Sequence, residues 1–271
     1  MSAVSRIRRR SRPKLSRLLR ETRGTISVEQ ASRSLGLPAK EAAQQLAAWA
    51  RQGWLSRVRR GLYVPVPLEA PSSDVALEDP WIVADRLFAP CYIGGWSAAE
   101  YWDFTEQIFR SVLVLTTKKP RDRKPVIRGA AFVLRTIPVK ALFGTKGVWR
   151  GQIKVEVSDP SRTIIDLVND PALGGGVRPC ADILQNYLNS KSRDIETVIT
   201  YAERLNNGAV FKRLGFLLER YAPNERTALE KCRKQLTAGN AKLDPSLPAD
   251  RLVTRWRLWI PESWAKGSRN D

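Results

Sequence analysis

The sequence predicts an α+β protein in two unequal parts, a winged helix-turn-helix followed by a larger mixed α/β C-terminal domain. Three observations lead there. The first 66 residues run helix, turn, helix, basic hairpin. A stretch containing Pro71-Ser72-Ser73 and several acids follows. After it, short apolar runs alternate with helical patterns to the end of the chain. The chain therefore divides into a basic arm (1–12), a winged module (13–68), a linker (69–78) and a mixed α/β body (79–265).

Within the module, a first helix from Pro13 to Thr22 places Leu15, Leu18 and Leu19 at helical spacing. Ser27-Val-Glu-Gln30 has the form of a capping box, which starts a second helix. Leu35-Gly36 stops it, because glycine takes the left-handed turn without a Cβ clash. Pro38 sits where a first helical residue belongs, and the third helix continues to about Gln52. Gly53 ends it. Leu55 to Val58 and Leu62 to Val66 then read as a hairpin turning at Arg59-Arg60-Gly61, with Trp54 packing it on the third helix.

In the body, Pro80 to Leu87 and Ser97 to Asp103 read as helices flanking a short strand, Cys91 to Gly94. Ser111 to Thr117 is a strand of the buried kind, running into the cationic loop Lys118 to Pro125. Ala131 to Ile137 and Ile153 to Val157 are strands, and Asp159-Pro160 opens a helix over Ser161 to Val168. Gly174-Gly175-Gly176 lacks the Lys-Ser/Thr of a phosphate loop and reads as a turn before a helix at Asp182 to Leu188. Helices at Ile195 to Leu205, Val210 to Tyr221 and Glu225 to Leu236 follow, and a strand, Arg255 to Pro261, closes the domain.

Charge separates the same two parts. Residues 1–66 carry 15 Lys and Arg against 3 Glu, a net of +12 of the chain's +19. Such concentration on one segment predicts a polyanionic partner, because each neutralised phosphate releases condensed counterions. Double-stranded DNA fits the architecture. On the third helix, Ala42, Leu46 and Trp49 face inward, which leaves Lys40, Gln44, Ala47 and Arg51 outward. Gln pairs two hydrogen bonds with adenine, and Lys or Arg reaches guanine or phosphate. Arg57, Arg59 and Arg60 cluster at the wing, suited to phosphates or a narrow minor groove. Arg8, Arg9 and Arg10 of the arm are expected to lie along the backbone or enter a minor groove.

Other function classes are weakened. The chain has no histidine, so His-based triads, His general acids and the usual zinc-hydrolase ligands are excluded within it. Cys91, Cys180 and Cys232 are isolated, which fits a reducing cytoplasm and buried small side chains rather than a disulfide frame. Neither a cofactor nor a metal is expected, no membrane span is read, and the chain is taken as no enzyme. Two alternatives stay open. One is an enzyme acting on nucleic acid; the other is a regulator sensing a small ligand through Trp81, Tyr92, Trp96, Tyr101 and Trp102.

Six segments, in order, give a resemblance. They are Arg60-Gly-Leu-Tyr-Val64, Gly94-Gly-Trp-Ser-Ala-Ala-Glu100, Ser158-Asp-Pro-Ser-Arg-Thr-Ile-Ile-Asp166, Arg213-Leu-Gly-Phe-Leu-Leu-Glu219, Lys242-Leu-Asp-Pro245 and Arg255-Trp-Arg-Leu258. Together they resemble the AbiEi-type antitoxins, the regulator half of bacterial type IV toxin–antitoxin pairs, from about Pro13 to Trp264. The resemblance implies a winged helix that represses its own operon at inverted repeats. It also implies a C-terminal domain that counters a nucleotidyltransferase-like toxin without a stable complex. Antidote activity is expected to map to the C-terminal body, through the Lys118–Lys124 loop or the surfaces around Arg213 and Glu219.

Overall fold

The computed structural model describes residues 13–22, 25–66, 79–127, 129–151 and 153–265. The arm with Arg8, Arg9 and Arg10, the 69–78 linker and the side chain of Arg59 lie outside the described part.

The N-terminal module opens with helix α1, described over 13–21. Strand β1 (Ile26–Ser27), helices α2 (Val28–Leu35) and α3 (Ala39–Arg51), and the hairpin β2 (Leu55–Arg59) and β3 (Leu62–Pro65) follow. The capping box is present. Ser27 Oγ accepts from Gln30 N at 3.1 Å and Gln30 Oε1 accepts from Ser27 N at 2.9 Å, which satisfies two otherwise orphaned N–H groups. Gly36 takes the left-handed conformation, at φ +64°, and ends α2. Pro38 is one step outside α3 rather than its first residue. The hairpin is antiparallel, and β1 pairs with β3 to give a three-stranded sheet in the order β1-β3-β2. Leu18, Ile26, Ala42, Leu46, Trp49, Leu55 and Tyr63 form the module's core, with Trp54 packed beside it.

The body is built on a six-stranded mixed sheet in the order β6-β7-β5-β4-β9-β8. Its strands are β4 (Cys91–Ile93), β5 (Ser111–Thr116), β6 (Val126–Ile127), β7 (Ala130–Thr136), β8 (Thr145–Arg150) and β9 (Ile153–Ser158). β5 with β7 and β4 with β9 run parallel; the other neighbours are antiparallel. Side chains alternate across the sheet with the strand period of two. Cys91, Ile93 and Val114 enter one cluster with Trp81, Val83 and Ala84 of α4 (Pro80–Phe88). Tyr92, Leu113 and Leu115 enter the other, covered by helices. A strand buried on both faces has to be apolar throughout, which explains the run Val112 to Leu115.

The covering helices are α5 (Gly95–Tyr101), α6 (Pro160–Asn169), α7 (Val177–Asn189), α8 (Ile195–Leu205), α9 (Gly208–Tyr221) and α10 (Arg226–Lys234). A small sheet, β10 (Ala241–Lys242), β11 (Arg251–Val253) and β12 (Leu258–Ile260), and the short helix α11 (Glu262–Ala265) complete the chain's described part.

Several expectations shift. α5 begins at Gly95, two residues before the expected start. α7 starts at Val177, five residues before its expected start, because Asp244 Oδ2 accepts from Val177 N at 2.9 Å and caps it from 67 residues away. The closing strand is not continuous: a 3-10 turn spans Thr254–Trp256, and Arg257 is left-handed at φ +50°. Only Leu258–Ile260 pairs as strand there. β8 had no counterpart in the sequence reading, because Val148 is its one buried residue.

The wing does not stand apart. Val58 and Val64 pack against the body cluster that contains Trp81 of α4, on the sheet face opposite the cluster of α6 to α10.

Candidate nucleic-acid interface

α3 is amphipathic as expected. Ala42, Leu46 and Trp49 are fully buried, and Ala39, Lys40, Glu41, Gln44 and Arg51 are exposed. Ala43 and Ala47 are half-buried, so the outward face offers long polar side chains between small ones. That combination lets a helix approach a groove closely while polar groups reach base edges. The helix is held from below by Trp49, whose carbonyl accepts from Trp54 N at 3.0 Å and so ties the end of α3 to the start of the hairpin.

The wing meets α3 across a groove of about 370 Å³ lined by Ala47, Ala50, Arg51, Leu55, Arg57 and Tyr63, among others. Arg51 and Arg57 therefore share one channel, and exposed Arg60 stands at the hairpin turn. The hairpin register shifts between Arg57 and Arg59, a bulge that sharpens the local twist of the strand. It leaves Arg57 exposed and Val58 half-buried against the body. Gly61 turns the hairpin at φ +80°, and its carbonyl accepts from Val28 N at 3.2 Å, which anchors the wing tip to the start of α2. Lys40, Gln44, Arg51, Arg57 and Arg60 thus sit on two elements braced against each other. The groove between α3 and β2 was not readable from helical spacing alone.

The body treats its chemistry-bearing residues differently. Arg162 is 1% exposed; its Nε donates to Asp166 Oδ1 at 2.9 Å and its Nη2 to Tyr92 Oη at 3.0 Å. Tyr92 Oη donates to Asp166 Oδ2 at 2.9 Å, closing a buried triangle. Burial pushes the Asp166 carboxyl up to about 6, against the opposing pull of Arg162 and Tyr92. Arg213 donates from Nε to the Lys242 carbonyl at 2.8 Å and from Nη1 to those of Val168 and Asn169 at 3.1 and 2.7 Å. It is buried and closes the C-terminus of α6, so it offers no surface for a partner. Glu219 accepts from Arg255 Nε at 2.7 Å and Trp256 Nε1 at 2.8 Å, so it too is engaged within the fold.

The aromatic residues considered as a ligand pocket instead support packing. Trp96 Nε1 donates to the Ser111 carbonyl and Trp102 Nε1 to that of Ser158, each at 2.8 Å. Trp81 and Tyr101 rings lie 5.5 Å apart. The three cysteines are buried, and burial pushes the Cys91 and Cys232 thiols up to about 12, which leaves them unreactive thiols at neutral pH. Among the described residues no group of His, Cys, Asp and Glu is arranged to hold a metal, and no helix is long and apolar enough to cross a membrane.

Comparison with known proteins now decides the module. Residues 13–66 match the family model described as transcriptional regulator, AbiEi antitoxin. The N-terminal module is similar to that family over those residues. The matched span runs from α1 to the end of the wing, and it supports a regulator role. Across the whole fold, the chain is similar to the crystal structure of the RV2827C protein from Mycobacterium tuberculosis, at a TM-score of 0.62 and 16% identity. That likeness covers 92% of this chain and 91% of the other, so the module and the body recur together as one architecture. A search of curated proteins finds no match.

Proposed function

We propose that the protein is a DNA-binding autorepressor and antitoxin, acting on inverted repeats in its own promoter. The carrying observation is the juxtaposition of exposed Lys40, Gln44 and Arg51 on α3 with Arg57 and Arg60 of the wing, inside a module that matches a regulator family. Gln44 and Lys40 read bases in the major groove, while Arg57, Arg59 and Arg60 hold the backbone or enter a minor groove. Arg8, Arg9 and Arg10 extend the phosphate contact. In this reading the protein works in the cytoplasm, catalyses no reaction and needs no cofactor. The body counters a nucleotidyltransferase-like toxin without a stable complex.

A mobility-shift titration of the whole chain, on its own promoter and on a random duplex of equal length, tests the reading. Tighter binding to the promoter and a steep fall in affinity with salt are expected, because several phosphates are neutralised together. Equal affinity for the two duplexes would end the claim of specific repression.

A further inference from the structure

Arg162 and Asp166 of the Arg162–Asp166–Tyr92 triangle line a cavity of about 270 Å³ in the body, which shares no lining residue with the α3–wing groove. Arg135 of β7, Lys140 of the 3-10 turn after it, Arg162 and Asp166 of α6, Arg204 of α8 and Asn207 beyond it contribute to the lining. Two donors of these lining residues, both sealed from solvent, have no acceptor within the fold. Arg162 Nη1 is buried without a hydrogen-bond partner, although the other two guanidinium nitrogens are both used. Arg135 Nε is likewise buried without one, and Asp170 stands 3.9 Å from it. An unsatisfied buried donor is costly, more so when charged, and such groups ordinarily have a partner.

Charge names that partner's class. Asp166 balances Arg162, and Asp170 lies near Arg135, which leaves Lys140 and Arg204 in surplus at the rim. A surplus of two cations matches a dianion. The guanidiniums of Arg162 and Arg204 both lie over the Phe143 ring, at 4.1 and 4.0 Å from its centroid, which fixes their orientation before any ligand arrives. Leu115, Ile137, Leu173 and Leu205 supply apolar wall, so the cavity suits an anionic head with a short carbon skeleton. Its volume falls just below the roughly 300–1,000 Å³ of sites for drug-sized ligands, which limits the occupant to a small molecule.

We propose that this cavity binds the phosphoryl group of a small phosphate ester or free phosphate, held by Arg135, Lys140, Arg162 and Arg204. The site goes beyond the DNA-binding reading and stands without it.

Calorimetric titration of the full-length protein with inorganic phosphate, glycerol 3-phosphate and glycerol, at millimolar concentrations, tests it. Saturable binding of one or both phosphates, with none of glycerol, is expected. Tighter glycerol 3-phosphate assigns an ester, and tighter inorganic phosphate assigns the free ion. Lys140→Ala removes an exposed side chain and should keep the parent's unfolding temperature, while Arg204→Ala also gives up the contact with Phe143 and should lower it only slightly. Each should weaken binding by about tenfold, the loss expected for one charged hydrogen bond. The double variant Arg57→Ala/Arg60→Ala, at the wing, should leave phosphate binding unchanged. Absence of binding, or binding weakened by the wing variant but not by the cavity variants, would overturn the proposal. So would binding of a 5′-phosphorylated oligonucleotide through the cavity residues while glycerol 3-phosphate fails, since the occupant would then be a nucleic-acid end.

Discussion

The module and the body use cations in opposite ways. On α3 and the wing, Lys40, Arg51, Arg57 and Arg60 are exposed on elements whose buried faces are apolar. In the body, Arg162 and Arg213 are buried, one in an ion pair with Asp166 and one on three backbone carbonyls. A buried guanidinium spends most of its fixed donors inside the fold, and Arg162 keeps only Nη1 without a partner; an exposed one can turn its fork toward an outside anion. The six sequence segments that carry the family resemblance divide along the same line. The wing segment contributes to the candidate interface, while Arg162 (through Tyr92), Arg213, Asp244 and Trp256 in the body segments are stitches between distant parts of the chain. Resemblance in the body is therefore largely resemblance of architecture.

Breaking a body stitch should give the largest effect. Asp166→Ala leaves the Arg162 guanidinium buried without its counter-charge, at a cost of about 3–5 kcal/mol in stability. Chemical denaturation of the full chain reads this directly. A loss under 1 kcal/mol would mean that water reaches Arg162 and that the triangle is not a closed network. Next comes Gly215→Ala on α9. A Cβ there would lie 2.1 Å from Trp256 Cζ3, and Trp256 is fully buried, so the cost is about 1–3 kcal/mol from overpacking. Unfolding temperatures of parent and variant check it. Within the module, Ser27→Ala removes the N-cap of α2 and should cost about 1 kcal/mol, with Thr at the same position restoring most of it.

Local signals made much of the fold legible. Ser27 and Gln30, Gly36 and Asp159-Pro160 mark helix ends through contacts within five residues, and each is seen where expected. The unbroken apolar run Val112 to Leu115 marks the central strand. What escaped depends on distant partners. The start of α7 is fixed by Asp244, and no residue near Val177 announces it. Edge strand β8 pairs with β9 along its whole length, yet Trp149 on it is 67% exposed, so its pattern does not read as half-buried. Arg213 reads as a surface charge on a helix until α6 and β10 are brought beside it. For the interface, helical spacing located the exposed face of α3. The groove shared with Arg57 arises from the packing of β2 on that helix, a tertiary fact.

The central claim is that the module's exposed side chains serve recognition and add little to folding. The most direct test measures Gln44→Ala and Arg60→Ala beside the parent, for affinity to promoter and random duplexes across a salt series and for unfolding temperature. Gln44→Ala should lose about 1–3 kcal/mol on the promoter and little on random DNA, because one base contact disappears. Arg60→Ala should weaken both duplexes alike and flatten the salt dependence by about one phosphate. Neither should shift the unfolding temperature appreciably, as both side chains are exposed. Unchanged DNA binding in both variants, or the same loss in both explained by destabilised protein, would contradict the account.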